Sequence, residues 1–331
     1  MAGKKIRVFI TIDTETSMAG AWNNPAYEPL PFDLPVFGKI GARFYGIPLM
    51  MDILDAHGFR ATFFTEMFCS YTLEPGEVER ACSEILRRGH DCQLHLHPIY
   101  RFYRDAKAGK GRREMDFMFR LSPAEQREFI GEGVELFRKF TGKPPRAYRA
   151  GCYAASEETL GALREHGLLI DSSYNLTYLG QTCNFVTQGL NAPVAIDSVY
   201  EFPVTVFRVA GTSGYKPLEI SAVSVKEILS TLEALREAGC HSAVLVLHSF
   251  SLLKNLGVRF EQATPDHIVI QRFKRLCTAL AERREEIEVG VLGETDVHTV
   301  PLPQPQVIPS IGWVQPAMRK LVQAANRLPW L

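Results

Sequence analysis

Two imidazoles stand one residue apart in "GHDCQLHLHPIY", where His95 and His97 close an apolar run that meets Pro98. In a strand, residues i and i+2 face the same side, so both rings leave one face at the strand's C-terminal end. Side by side they suit the grip of one divalent cation. Two hydrogen-bonded or solvent-facing histidines would read the same way. The first strand repeats the construction with carboxylates, "FITIDTETS", where Asp13 and Glu15 are again i and i+2. Two acids ending a buried strand are costly unless something neutralises them. One can complete a two-histidine, one-carboxylate ligand set, and the other can take a proton from a bound water. Capping of the following turn is the plainer alternative.

Two further strand ends carry chemistry. "AYRAGCYAAS" ends a strand in Arg149, whose guanidinium among carboxylates would pair with one and hold it ionised. The backbone N–H groups of the small-residue turn near Tyr153 could receive developing negative charge. "AVLVLHSF" ends an apolar strand in His248, placed for general-acid work if it shares the rim with the others. D-x-E, H-x-H, Arg and His at four strand ends of one alternating fold make a joint pattern. In β/α barrels catalytic groups gather at that rim.

The elements that must position them alternate between short β-branched runs and helical patterns. Strands are expected at 6–13, 59–65, 91–97, 146–151, 199–206, 242–248 and 286–292. Helices are expected near 46–57, 76–88, 122–140, 156–166, 224–238 and 264–284. Glycines at 58, 89 and 167 follow helix C-termini, and "SPAE" and "SVKE" supply capping boxes. The count suggests a closed or nearly closed barrel. Two insertions, 16–45 and 98–121, follow strand C-termini, where such proteins place substrate loops. Residues 1–300 are expected to form the catalytic barrel. Residues 301–331 are expected to be a Pro-rich linker and an amphipathic C-terminal helix with a basic face, which could dock on its own domain or a second subunit, or touch a membrane surface.

The chain has 331 residues, 46% hydrophobic and 22% charged, with formal net charge +0. That balance argues against a general nucleic-acid binder. The N-terminus reads as a first strand rather than a signal peptide. Seven cysteines without regular CxxC spacing fit a reducing, cytoplasmic setting. The oligomeric state is not legible.

These motifs resemble the polysaccharide deacetylase, or NodB-homology, family of carbohydrate esterases over roughly residues 5–295. "GIPLMMDILDAHGFRATFF" and "RRGHD" resemble its first helix, second strand and approach to the second motif. The resemblance implies a distorted (β/α)7-type barrel, the glycoside hydrolase–deacetylase fold. It implies Asp13 as general base and Glu15, His95 and His97 as ligands of a divalent metal, zinc first, with cobalt, nickel or manganese as alternatives. Arg149 would orient the base, the Tyr153 amide would stabilise the oxyanion, and His248 would be the acid. The chain departs at Ile99, where the family's second histidine usually stands, and matches instead an H-x-H-P branch. "IDSSYN" offers Asp171 as the fourth motif's acid without its usual tryptophan. The implied activity is metal-dependent removal of an N-acetyl group from an amino sugar in a glycan or glycan precursor. Deformylation, other amide hydrolysis, O-deacetylation and a carbohydrate-binding relic without turnover remain alternatives.

Overall fold

The computed structural model describes residues 5–74 and 76–312; the expected helix at 313–331 lies outside them. Eight strands build the barrel: β1 (Ile6–Thr14), β2 (Thr62–Glu66), β3 (Asp91–Leu96), β4 (Ala147–Ala150), β5 (Ile170–Asp171), β6 (Val199–Glu201), β7 (Ser242–His248) and β8 (Ile287–Gly290). They pair in parallel in the order β7-β1-β2-β3-β4-β5-β6. β8 adds to the first half of β1, and a short antiparallel strand, Val194–Ile196, flanks β6. The sheet curls into an incomplete barrel. Its gap, between β6 and β7, is bridged by backbone bonds from Thr205 N to Val244 O and from Val246 N to Leu218 O.

Seven helices cover the outside: α1 (Ile47–Asp55), α2 (Glu77–Arg87), α3 (Pro98–Lys107), α4 (Pro123–Thr141), α5 (Glu157–Glu165), α6 (Val225–Glu237) and α7 (His267–Ala281). The Ser122–Glu125 and Ser224–Glu227 capping boxes both form, satisfying N-terminal amides of α4 and α6. The main core lies between sheet and helices. A smaller plug of Phe9, Phe64, Ala147, Ile170, Phe202, Val244 and Leu292 fills the barrel interior. Above the plug the inward side chains turn polar, and the mouth begins.

β5 (Ile170–Asp171) has no counterpart among the expected strands, and three further elements differ from the sequence pattern. The strand expected at 199–206 stops at Glu201 because Pro203 has no N–H for a ladder. Val206–Val209 then joins Tyr215–Pro217 and Ser310–Ile311 in a separate small sheet. The 98–121 insertion opens with α3, since Pro98 both ends β3 and suits the first position of a helix. The Pro-rich 301–312 stretch lies against the barrel: Gln306 accepts from the Asn191 and Ala192 amides, and Gln304 from His241 N. Among the described residues no helix is long and apolar enough to cross a membrane.

Candidate metal centre and active site

Parallel register brings the four strand ends to one mouth. Asp13 lies beside His248 on β7, Glu66 beside His95, and His95 beside Arg149. β1 and β7 are tied again beyond their ladder, because Ser249 N donates to Asp13 O and the Ser249 hydroxyl donates to Glu15 O.

Glu15 sits between the two imidazoles. Its Oε2 is 3.1 Å from His95 Nε2 and 2.7 Å from His97 Nε2, with the two rings 5.0 Å apart. Each histidine is anchored through its other nitrogen. His95 Nδ1 is 2.8 Å from the Arg149 carbonyl, and His97 Nδ1 is 2.8 Å from Asp116 Oδ2. A carbonyl can only accept, so His95 carries a proton on Nδ1, and the Asp116 carboxylate holds His97 through the same ring nitrogen. Outer partners of this kind fix the tautomer and direction of metal-binding histidines. The donor set of one carboxylate and two imidazoles suits a divalent transition metal with open positions, so these residues fit such an ion.

The electrostatics agree with a site of concentrated charge. Burial would push the Glu15 carboxyl up, but the neighbouring imidazoles overcome it and hold it well below the usual carboxylate range. Burial opposes charge on His97, yet Asp116 and Glu15 together raise it well above an ordinary imidazole.

Beside these three residues lies a buried ion pair. Arg149, fully buried, donates from Nη1 to Asp13 Oδ1 at 2.7 Å and to the Thr11 hydroxyl at 2.9 Å. Its Nε and Nη2 bond the Ser172 carbonyl and hydroxyl, and the Phe64 ring lies 4.4 Å from its Cζ. Arg149 thereby fixes the direction of the Asp13 carboxylate. Tyr153 follows Cys152 in a turn with both residues left-handed, at φ 57° and 55°. Two such non-glycine residues in succession are costly and recur where function requires the geometry. His248, its side chain 26% exposed, stacks on Phe250 at 5.3 Å and has Nε2 3.9 Å from Glu15 Oε1.

The mouth thus gathers Asp13, Glu15, His95, His97, Arg149, Tyr153 and His248. Asp171 is engaged elsewhere: its carboxylate accepts from the Ser173 hydroxyl at 2.6 Å and the Ser173 amide at 3.2 Å. Across the ladder stands Glu201, buried beside it, whose Oε1 accepts from Tyr174 N. Burial and then the Asp171 charge push Glu201 well above its ordinary range, so it is the protonated member of the pair. This pair occupies Asp171, while the His248 ring stacks on Phe250 and faces Glu15.

Two residues of the site were missed in the sequence. Asp116 lies in the second insertion, and a lone acid among the apolar residues of "MDFMF" was its only signal. Glu66 closes β2 and is fully buried. It accepts from the amides of Phe68, Cys69 and His97, which fixes the backbone of His97 relative to β2.

No protein-family model and no curated protein matches the chain. Solved structures do. A Mycobacterium smegmatis protein assigned to the polysaccharide deacetylases superposes with a TM-score of 0.55 at 18% identity, over 93% of this chain and 96% of that one. A 4-alpha-glucanotransferase from Thermococcus litoralis superposes with a TM-score of 0.54 at 11% identity, over 93% of this chain and 42% of that one. The curled parallel barrel of this chain is the fold of that Mycobacterium smegmatis protein assigned to the polysaccharide deacetylases.

Proposed function

We propose that the protein is a metal-dependent hydrolase that removes an N-acetyl group from an amino sugar of a glycan or glycan precursor. One observation carries the reading: both anchored imidazoles point Nε2 at a single carboxylate oxygen, beside a second carboxylate already committed to an arginine. A glycosyl-transferring relative shares the fold, so the fold does not choose the reaction. The paired imidazoles favour amide hydrolysis, for which a cation is useful, over carboxylate-only glycosyl transfer.

Glu15, His95 and His97 would hold a divalent cation, which when bound polarises an acyl carbonyl and brings the pKa of water towards about 7. Asp13, oriented by Arg149, takes the proton of the attacking water. The Tyr153 amide, at the strained turn, donates to the oxygen that gains charge. His248, its side chain 26% exposed, gives its proton to the departing amine. The nitrogen leaves as a free amine, and the acyl carbon leaves as acetate with the water's oxygen.

The test is acetate release from N-acetylated sugars, run beside O-acetylated and N-formylated ones. Asp13→Asn keeps every proposed ligand, so it should retain bound metal and lose at least about 100-fold in rate, the scale of one general catalyst. Bound metal with no turnover on any acylated sugar would overturn the hydrolase reading.

A further inference from the structure

His97 presents both of its ring nitrogens to carboxylates. Nε2 lies 2.7 Å from Glu15 Oε2, and Nδ1 lies 2.8 Å from Asp116 Oδ2. On the Nδ1 side stands a third donor that the proposed centre does not use. Cys152 Sγ is 3.7 Å from that same Asp116 oxygen. His97, Asp116 and Cys152 each bring one ligand atom to a group whose members all lie within 4.8 Å of one another. Three separate segments supply them: the residue after β3, the 98–121 insertion and the turn that follows β4.

The distances suit a cation. An ion about 2.0 Å from oxygen and 2.3 Å from sulfur, at a tetrahedral angle, sets those two donors about 3.5 Å apart. The Asp116–Cys152 pair stands at 3.7 Å. The His97–Asp116 pair would have to open by about 0.5 Å from its hydrogen bond. Asp116 is itself directed from behind, since its Oδ1 accepts from Ile99 N at 3.3 Å. An entry path is present, because Cys152 is the exposed one of seven free cysteines.

We propose that His97 Nδ1, Asp116 Oδ2 and Cys152 Sγ form a second cation site, for a thiophilic divalent ion such as cadmium, that competes with the Glu15–His95–His97 centre. A neutral imidazole has one lone pair. With that pair on Nε2, His97 serves the centre and its Nδ1 proton goes to Asp116. With the pair on Nδ1, His97 serves the thiol site and its Nε2 proton goes to Glu15. One neutral ring cannot serve both ions. Ligand softness chooses between them: thiolate selects the softer ion, whereas carboxylate and imidazole suit a harder one such as cobalt. Binding at the thiol site releases the thiol proton to water and withdraws one of the centre's three ligands.

Cobalt and cadmium are the probes. Metal-free, reduced protein would be loaded with one equivalent of cobalt(II), followed by its visible absorbance, and then titrated with cadmium. A thiolate-to-cadmium charge-transfer band should rise in the ultraviolet while the cobalt absorbance falls in step. Cys152→Ser, at an exposed position and checked for an unchanged melting transition, should still bind cobalt and show no thiolate band. It should need at least about tenfold more cadmium to release half of the cobalt. His95→Ala keeps all three donors of the thiol site, so it should lose cobalt binding and keep the cadmium band. No thiolate band in wild type, a band that survives Cys152→Ser, a band lost in His95→Ala, or a band that rises while cobalt stays bound would each overturn the proposal. None of these readouts needs turnover. An intact cadmium band with no acetate release from any acylated sugar would sink the hydrolase reading and leave the thiol site standing.

Discussion

Gly151 follows Arg149 by two residues, and its missing side chain leaves room for a ligand. A Cβ built there would lie 2.5 Å from His97 Nδ1 and 2.6 Å from Cγ and Cε1. Ordinary contact needs about 3.5 Å, so Gly151→Ala demands a retreat of roughly 1 Å. The ring is not free to give it. His97 is tied through Nδ1 to Asp116 and through its backbone N–H to Glu66. Metal sites tolerate about ±0.2 Å in ligand position, so a 1 Å displacement of His97 amounts to losing a ligand. We expect metal affinity to fall at least about 100-fold, the upper end of what loss of outer support costs, equivalent to about 2.7 kcal/mol. The overpacking itself should cost about 1–3 kcal/mol of stability, lowering the melting temperature while the fold persists. The assay is competition with a chromophoric chelator for zinc, with thermal unfolding of the metal-free protein alongside. Gly161→Ala in α5 is the matched control, since its Cβ meets nothing within 4 Å. It should leave metal binding unchanged and stabilise the helix by about 0.5–1 kcal/mol. Zinc affinity of Gly151→Ala within threefold of wild type would refute the claim that His97 is a tightly positioned ligand.

Other consequences are open to measurement. Asp116→Ala should weaken metal binding by about 10–100-fold with little change in melting temperature, because the Asp116 side chain is 24% exposed; an affinity equal to wild type would remove Asp116 from the site. Arg149→Ala should destabilise the protein by about 3–5 kcal/mol by leaving Asp13 buried and unpaired. Adding Asp13→Ala should recover part of that loss, whereas strictly additive effects in the double-mutant cycle would deny the pairing. Glu201 gives a pH dependence. Its folded value is raised by burial and by Asp171, so its contribution to stability is full below the unfolded value of about 4.3 and is lost as pH rises through the folded value. Glu201→Gln should therefore flatten the decline of melting temperature above about pH 5; an unchanged pH profile would mean that Glu201 is not the neutral member of the pair.

The site was legible to the extent that its chemistry sits at strand ends. Period-2 alternation alone put Asp13 with Glu15 and His95 with His97 on shared faces, and the alternating pattern implied parallel strands with their C-termini together. The structure brings exactly those residue types to one mouth through the Asp13–His248 and His95–Arg149 register. What the pattern could not carry depends on partners set by tertiary packing. Asp116 reaches His97 from an insertion without hydrophobic period. α3 is amphipathic but crowded with arginines, and its opening Pro98 resembles a simple stop. Asp171 reads as a partner for His248 until Glu201 arrives from the neighbouring strand, a pairing of residues 30 apart that no local spacing encodes.

The account turns on whether a cation is held where the acidic end of β1 meets the histidines. Metal analysis of purified wild-type protein, beside Glu15→Gln, His95→Ala, His97→Ala and Asp13→Asn, tests this most directly. About one divalent ion per chain is expected in wild type and in Asp13→Asn, with none retained in the three ligand variants. Metal content that survives the loss of both imidazoles would contradict the account.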